Sequence, residues 1–258
     1  MSAPSTPRRL LVLNPNTSVS VTELVATHVR AELGAGATVD AATARLGAAY
    51  IASEAASAIA GHAALDAWAA YRAQGTRPDV VLLACFGDPG LFALRELCDC
   101  PVTGLAEAAF LQAARSSARG RFGVVTGGAA WGPMLVRLAQ GLGFADAMAG
   151  VHTVAPSGAQ LAADPDSALP LLARACRDAA RALDVDCVIL GGAGLAGLAA
   201  RIQHEVPVPL IDSVTAGARE ALRLADEAAP GAASATPSGE GPAWRGVSPE
   251  LAGYLAGR

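Results

Sequence analysis

Cys85 ends the apolar, β-branched run Val80-Val81-Leu82-Leu83-Ala84 and is followed by Phe86-Gly87-Asp88-Pro89-Gly90. A strand ending this way puts a sulfur at its carboxyl end, where open α/β sheets bind their ligands. Asp88 before Pro89 has the pattern of a helix N-cap and first helical position. A thiol facing that helix start is expected to lean towards thiolate, since amide N–H groups and the helix dipole both favour the anion. Acid–base transfer at an acidic carbon, or covalent attack on a carbonyl or activated double bond, is then within reach. The competing reading is a buried free cysteine that packs as a small hydrophobe. Three further polar or glycine-rich turns follow apolar runs: Asn14-Pro15-Asn16-Thr17-Ser18, Thr126-Gly127-Gly128 and Gly191-Gly192-Ala193-Gly194. The amides around Phe86-Gly87 and Ala193-Gly194, with the side chains of Asn14 and Thr126, are candidate donors to a developing enolate. Asn14 and Asn16 also suit a turn without any ligand.

Positioning these turns requires a repeated strand-then-helix pattern. Strands are expected at 8–14, 38–42, 80–84, 102–105, 121–126, 149–154, 186–190 and 208–211. Helices are expected from Ser20, opened by a Ser20-to-Glu23 capping-box spacing, to Leu33, and at 52–74, after Asp88, 107–118, 134–142, 167–183, 195–204 and 214–227. Short β-branched runs alternating with Ala-rich helices predict parallel sheets covered by helices. The two halves also parallel each other. VVLLACFGDPG with PVTGLAEAA matches CVILGGAGLAG with PVPLIDSVTA; Cys85 to Pro101 is 16 positions and Gly192 to Pro207 is 15. The expected fold is therefore α/β, with two pseudo-symmetric lobes at 8–105 and 106–227 and one site between them. The C-terminal helix has the option of packing on the first lobe. Residues 228–248 turn to Ala, Pro, Gly and Ser and read as a flexible tail, after which Ser248-Pro249-Glu250 restarts a short helix.

The composition narrows the function. The chain has 258 residues, 52% of them hydrophobic and 16% charged, with a net charge of −4. That builds a core but offers no basic face for nucleic acid or a membrane surface. The apolar run after Arg8-Arg9 is too short for a secretion signal, and no run approaches a membrane span. A cytoplasmic protein acting on a small molecule, free to form a homo-oligomer, is expected. The five cysteines lack metal-site spacing, and Cys176 and Cys187 read as packing residues. His28, His62 and His204 fall in helical stretches and His152 in or beside a strand. Glu107 and Asp212 follow equivalent strands, as helix caps or as groups that orient a catalytic residue. Gly192-Ala193-Gly194-Leu195-Ala196-Gly197 fits a dinucleotide fingerprint locally, with Asp212 twenty positions on. However, too little chain follows for a mononucleotide-binding half, and the first-half turn has no such fingerprint.

The turn at Asn14–Ser18, the segment Ala84–Gly90 and the segment Leu190–Gly194, in this order and spacing, resemble the aspartate/glutamate racemase superfamily, most closely its hydantoin and allantoin racemases. The similarity covers about residues 8–227. The resemblance implies a cofactor-independent isomerase in which two cysteines, one per half, face the substrate from opposite sides. One removes the proton next to a carbonyl and the other returns a proton. Cys85 stands at the first position, and Gly192, which has no side chain, stands at the second. Cys187 lies a strand length away and does not replace it. The candidate contacts to a small carbonyl-containing substrate (a hydantoin, ureide or carboxylate) are Asn14, which the resemblance favours, with Asn16, Phe86, Gly87, Thr126, Gly127, Ala193 and Gly194; no metal is expected. The superfamily also holds arylmalonate decarboxylases, which keep the second-half cysteine only, and maleate isomerases, which attack covalently. A single-cysteine decarboxylase or isomerase and a non-catalytic ligand binder thus stay as alternatives.

Overall fold

The computed structural model describes residues 7–228 and 244–256. In chain order the elements are β1 (Arg8–Asn14), α1 (Val19–Leu33), β2 (Ala37–Thr43), α2 (Glu54–Ala73), β3 (Val80–Leu83), α3 (Leu91–Leu97), β4 (Val102–Gly104) and α4 (Leu105–Ser116). The pattern then recurs as β5 (Phe122–Gly127), α5 (Trp131–Gly141), β6 (Met148–Val154), α6 (Gly158–Ala163), α7 (Pro165–Ala182), β7 (Val188–Leu190), α8 (Leu198–Ile202), β8 (Leu210–Asp212) and α9 (Ser213–Glu227). A last helix, α10 (Pro249–Ala256), packs against α2.

Two four-stranded parallel sheets have the same order, β2-β1-β3-β4 and β6-β5-β7-β8. Their central strands are buried on both faces, which is why Leu10–Leu13 and Val80–Leu83 read as unbroken apolar runs rather than alternating ones. Leu13 pairs with Leu83 as Val125 pairs with Leu190. By register Asn14 then corresponds to Thr126 and Cys85 to Gly192. The helices that end the two halves are exchanged: α4 lies against β5, β7 and β8, while α9 lies against β1, β3 and β4. One core therefore runs through both sheets, joining Val12 and Leu82 to Val124 and Ile189 around Phe110.

Several expected boundaries move. Ser18, not Ser20, caps α1, and its hydroxyl accepts from the Val21 amide. Asp88 does not open the helix after it: α3 starts at Leu91 behind Gly90, whose left-handed φ of 84° a glycine adopts at little cost. The long helix expected at 195–204 breaks into a 3₁₀ turn at Ala193–Leu195 and the five-residue α8. Helix α6, opened by a Ser157–Gln160 capping box, has no counterpart among the expected elements. The repeat is also offset from the sequence alignment. Val81 donates to the Pro101 carbonyl and Val188 to that of Pro209, so Pro101 matches Pro209 rather than Pro207. The expected tail falls mostly on residues 229–243, outside the described residues.

Candidate active site

The turn after β1 is built around Asn14, which has no exposed surface. Its amide nitrogen reaches Asn16 Oδ1 at 2.9 Å, Thr22 Oγ1 at 3.0 Å and the Ser18 carbonyl at 3.1 Å, and its oxygen accepts from the Asn16 amide at 3.1 Å. Asn16 Oδ1 also accepts from the Ser18 amide. This network fixes the Asn16 oxygen and leaves its NH₂ group as a donor at the cavity wall.

The turn after β3 carries Cys85. Its carbonyl accepts from the Gly87 and Asp88 amides, at 3.0 and 3.1 Å, which folds the chain back tightly. Gly87 is held by Trp131: a Cβ there would lie 2.2 Å from the indole ring. The expectation of a thiolate next to a helix start is overturned. The following helix is short and begins six residues on, Cys85 is buried, and burial pushes its thiol well up, with the Asp88 carboxylate adding to the effect. Both effects favour the protonated thiol over the thiolate.

In the second half the matching turn has no ionisable side chain. Gly192 adopts φ 149°, donates its N–H to Ser213 Oγ at 3.2 Å and accepts from Leu195 at 2.9 Å. The amides of Ala193 and Gly194 find no acceptor among the described residues, nor does the Thr126 hydroxyl. Phe86, next to Cys85, lies on the backbone of Gly191, next to Gly192. The glycine fingerprint is used structurally: Asp212 accepts from Gly197 at 2.7 Å and caps α9, so it is not free for a ribose. Glu107 is no cap, since Arg95 and Thr103 bind its carboxylate within the first turn of α4.

Cys85, Phe86, Asn16, Thr126, Gly192, Ala193 and Gly194 meet in one cavity of about 380 Å³. Asn14, Gly87 and Gly127 lie outside that lining. The Gly87 amide, engaged by Cys85, is no donor to a ligand, and a side chain at Gly127 would strike Pro156 and Gly158. The rest of the wall includes Ser18, Ser20 and Val21 at the start of α1, together with residues the sequence did not single out: Tyr50 and Ile51 before α2, Trp131 at the start of α5, and the alanines of α6. Tyr50 joins the halves, its hydroxyl accepting from the Gly158 amide at 2.9 Å. Among the described residues the lining contains no Asp, Glu, His, Lys or Arg, and its only ionisable side chains are Cys85 and Tyr50. Such a site can hold an uncharged polar ring by hydrogen bonds against an apolar wall.

Comparison with known proteins gives a consistent picture. The family described as Asp/Glu/Hydantoin racemase matches residues 10–221. The hydantoin racemase of Paenarthrobacter aurescens is 32% identical over 217 residues, covering 84% of this chain and 90% of that protein. Among solved structures, the allantoin racemase of Pseudomonas fluorescens superposes with a TM-score of 0.79 at 30% identity, over 84% of this chain and 91% of the other. The allantoin racemase of Klebsiella pneumoniae gives a TM-score of 0.77 at 33% identity, over 85% and 88%.

Proposed function

This chain belongs to the Asp/Glu/hydantoin racemase family, and on that premise we propose that it moves a proton on and off the carbon beside a carbonyl in a small uncharged ring of the hydantoin type, with Cys85 as the acid/base. The observation that carries the reading is the cavity itself: one thiol, a set of unengaged donors, and no charged side chain. Removing a proton from such a carbon leaves an enolate. The amides of Ala193 and Gly194, the Thr126 hydroxyl and the Asn16 NH₂ are the donors that stabilise it. A dianionic arylmalonate or maleate would lose its hydration and find no cation in return.

Gly192 occupies the place from which a second thiol would act. Proton transfer is accordingly one-sided: Cys85 takes and returns the proton on its own face, and inversion depends on water entering beside Gly192. The enzyme works in the cytoplasm on a freely diffusing small molecule; no helix among the described residues is long and apolar enough to cross a membrane. One observation favours a second reading. A thiol held protonated is suited to deliver a proton to a carbanion left by decarboxylation, so a single-thiol decarboxylase is the alternative.

Incubating 5-substituted hydantoins, allantoin, arylmalonates and maleate with the enzyme in D₂O separates the two. Deuterium uptake at C5 of a hydantoin, lost in Cys85→Ala, is the expected result. Turnover confined to arylmalonates would replace the racemase reading with the decarboxylase one.

A further inference from the structure

The Cys85 turn is fastened to the rest of the molecule by one carboxylate. Asp88 is 3% exposed and adopts a left-handed φ of 46°, uncommon for a residue with a side chain. Its own N–H donates to the Cys85 carbonyl, while its two oxygens accept from the amides of Ala106 at 3.0 Å and Glu107 at 2.8 Å. Those are free amides of the first turn of α4, whose N-cap position is Gly104 and which therefore has no side-chain cap of its own.

The second half makes the same tie from the opposite end. Asp212, at the N-cap of α9, accepts from Val214 at 2.9 Å and Thr215 at 3.1 Å, and reaches back to Gly197 in the turn beyond Gly192. Leu83 pairs with Gly104, and Leu190 pairs with Asp212. Gly104 and Asp212 are thus equivalent positions, and Ala106 and Glu107 are equivalent to Val214 and Thr215. A Cβ at Gly104 would fall 2.1 Å from Asp88 Cγ, so the first-half carboxylate fills the space that a side chain at 104 would take. The capping carboxylate thus comes from the helix N-cap in the second half and from the turn, three residues after Cys85, in the first.

We propose that Asp88 is the positioning residue for Cys85, fastening its turn to α4 with a buried carboxylate placed beside the sulfur. The proposal rests on Cys85 being the acid/base. Because α4 in turn packs on the sheet of the other half, the same carboxylate sets the sulfur relative to the Gly192 turn. The ionisable groups around Asp88 are Cys85, Glu107 and Arg95, the last two paired with each other; Tyr50 is the other ionisable group in the cavity lining.

The test reads the sulfur without any substrate, so it stands apart from the assignment of the reaction. Cys85 alkylation by iodoacetamide is followed by peptide mass between pH 8 and 10, alongside melting temperature, in four proteins: natural, Asp88→Asn, Asp88→Gly and the double variant Asp88→Gly with Gly104→Asp. Removing the like charge beside the thiol lowers its pKa and should speed alkylation of folded Asp88→Asn about tenfold at a given pH. Asp88→Gly should melt lowest. The double variant, which returns the carboxylate to the cap position used by Asp212, should recover both the melting temperature and the slow alkylation. Alkylation of folded Asp88→Asn at the natural rate, or a double variant that melts no higher than Asp88→Gly, would overturn the proposal. If Cys85→Ala still turned over substrate, the acid/base assignment would fail while the alkylation results stood on their own.

Discussion

Phe86 and Gly191 touch where the two halves meet: a Cβ on Gly191 would lie 2.1 Å from the Phe86 ring. One residue flanks Cys85 and the other flanks Gly192, so this packing contact holds the two turns close together. Gly191→Ala should therefore overpack the junction, at a cost of about 1–3 kcal/mol, and lower activity more than its loss of stability explains. Pairing it with Phe86→Leu should recover part of the melting temperature, a coupling that a double-mutant cycle measures directly.

Asn14 contributes to the site through Asn16. Asn14→Ala removes one partner each of Asn16 Oδ1 and Thr22 Oγ1 in a buried network, and should cost about 1–3 kcal/mol. Because Asn16 Oδ1 is then held by the Ser18 amide alone, its NH₂ group is less well oriented, and KM should rise while the alkylation rate of Cys85 stays near the natural value. Steady-state kinetics beside a thermal melt check both parts.

How much of this was legible in the chain follows from the range of the interactions involved. The buried strands, the duplication and Cys85 are written locally, in apolar runs and in turns that recur at similar spacing. Asp88 misled because Asp before Pro is a local capping signal, whereas its carboxylate caps a helix that begins 17 residues later. Tyr50, Trp131 and the α6 alanines carry no chemical signature of their own. They enter the cavity because the halves close on each other, and a one-dimensional pattern holds no trace of that. The offset between Pro101 and Pro207 arose in the same way, since hydrogen-bond register rather than residue type decides which prolines match.

Among the cysteines only position 85 should matter for turnover. Cys85→Ala and Cys85→Ser should both abolish proton exchange, the latter because an alcohol is a far weaker acid than a thiol, whereas Cys98→Ala and Cys176→Ala should change activity little. Burial and the Asp88 charge both hold the thiol protonated, so the thiolate fraction keeps growing with pH. If abstraction by Cys85 limits the rate, kcat/KM should climb through pH 10 without a plateau, and in Asp88→Asn the curve should move to lower pH.

Gly192→Cys should supply the absent second thiol at a structural cost. A side chain at φ 149° is strained and its Cβ would press on Leu195 Cγ at 3.2 Å, so the variant should lose about 1–3 kcal/mol, part of it recovered by Leu195→Ala. In the folded variant racemisation should rise relative to one-sided exchange. Chiral chromatography of the product gives the ratio.

The central claim is that one thiol handles the proton from one side. Its most direct test is to incubate each enantiomer of a turned-over 5-substituted hydantoin separately with the natural enzyme in D₂O, correcting for uncatalysed racemisation. Loss of the C5 proton is followed by NMR and configuration by chiral chromatography. The account predicts that one enantiomer exchanges its C5 proton well before it loses configuration, and that Cys85→Ala does neither. Exchange and racemisation at equal rates from both enantiomers would contradict it, showing that another group already delivers a proton from the Gly192 side.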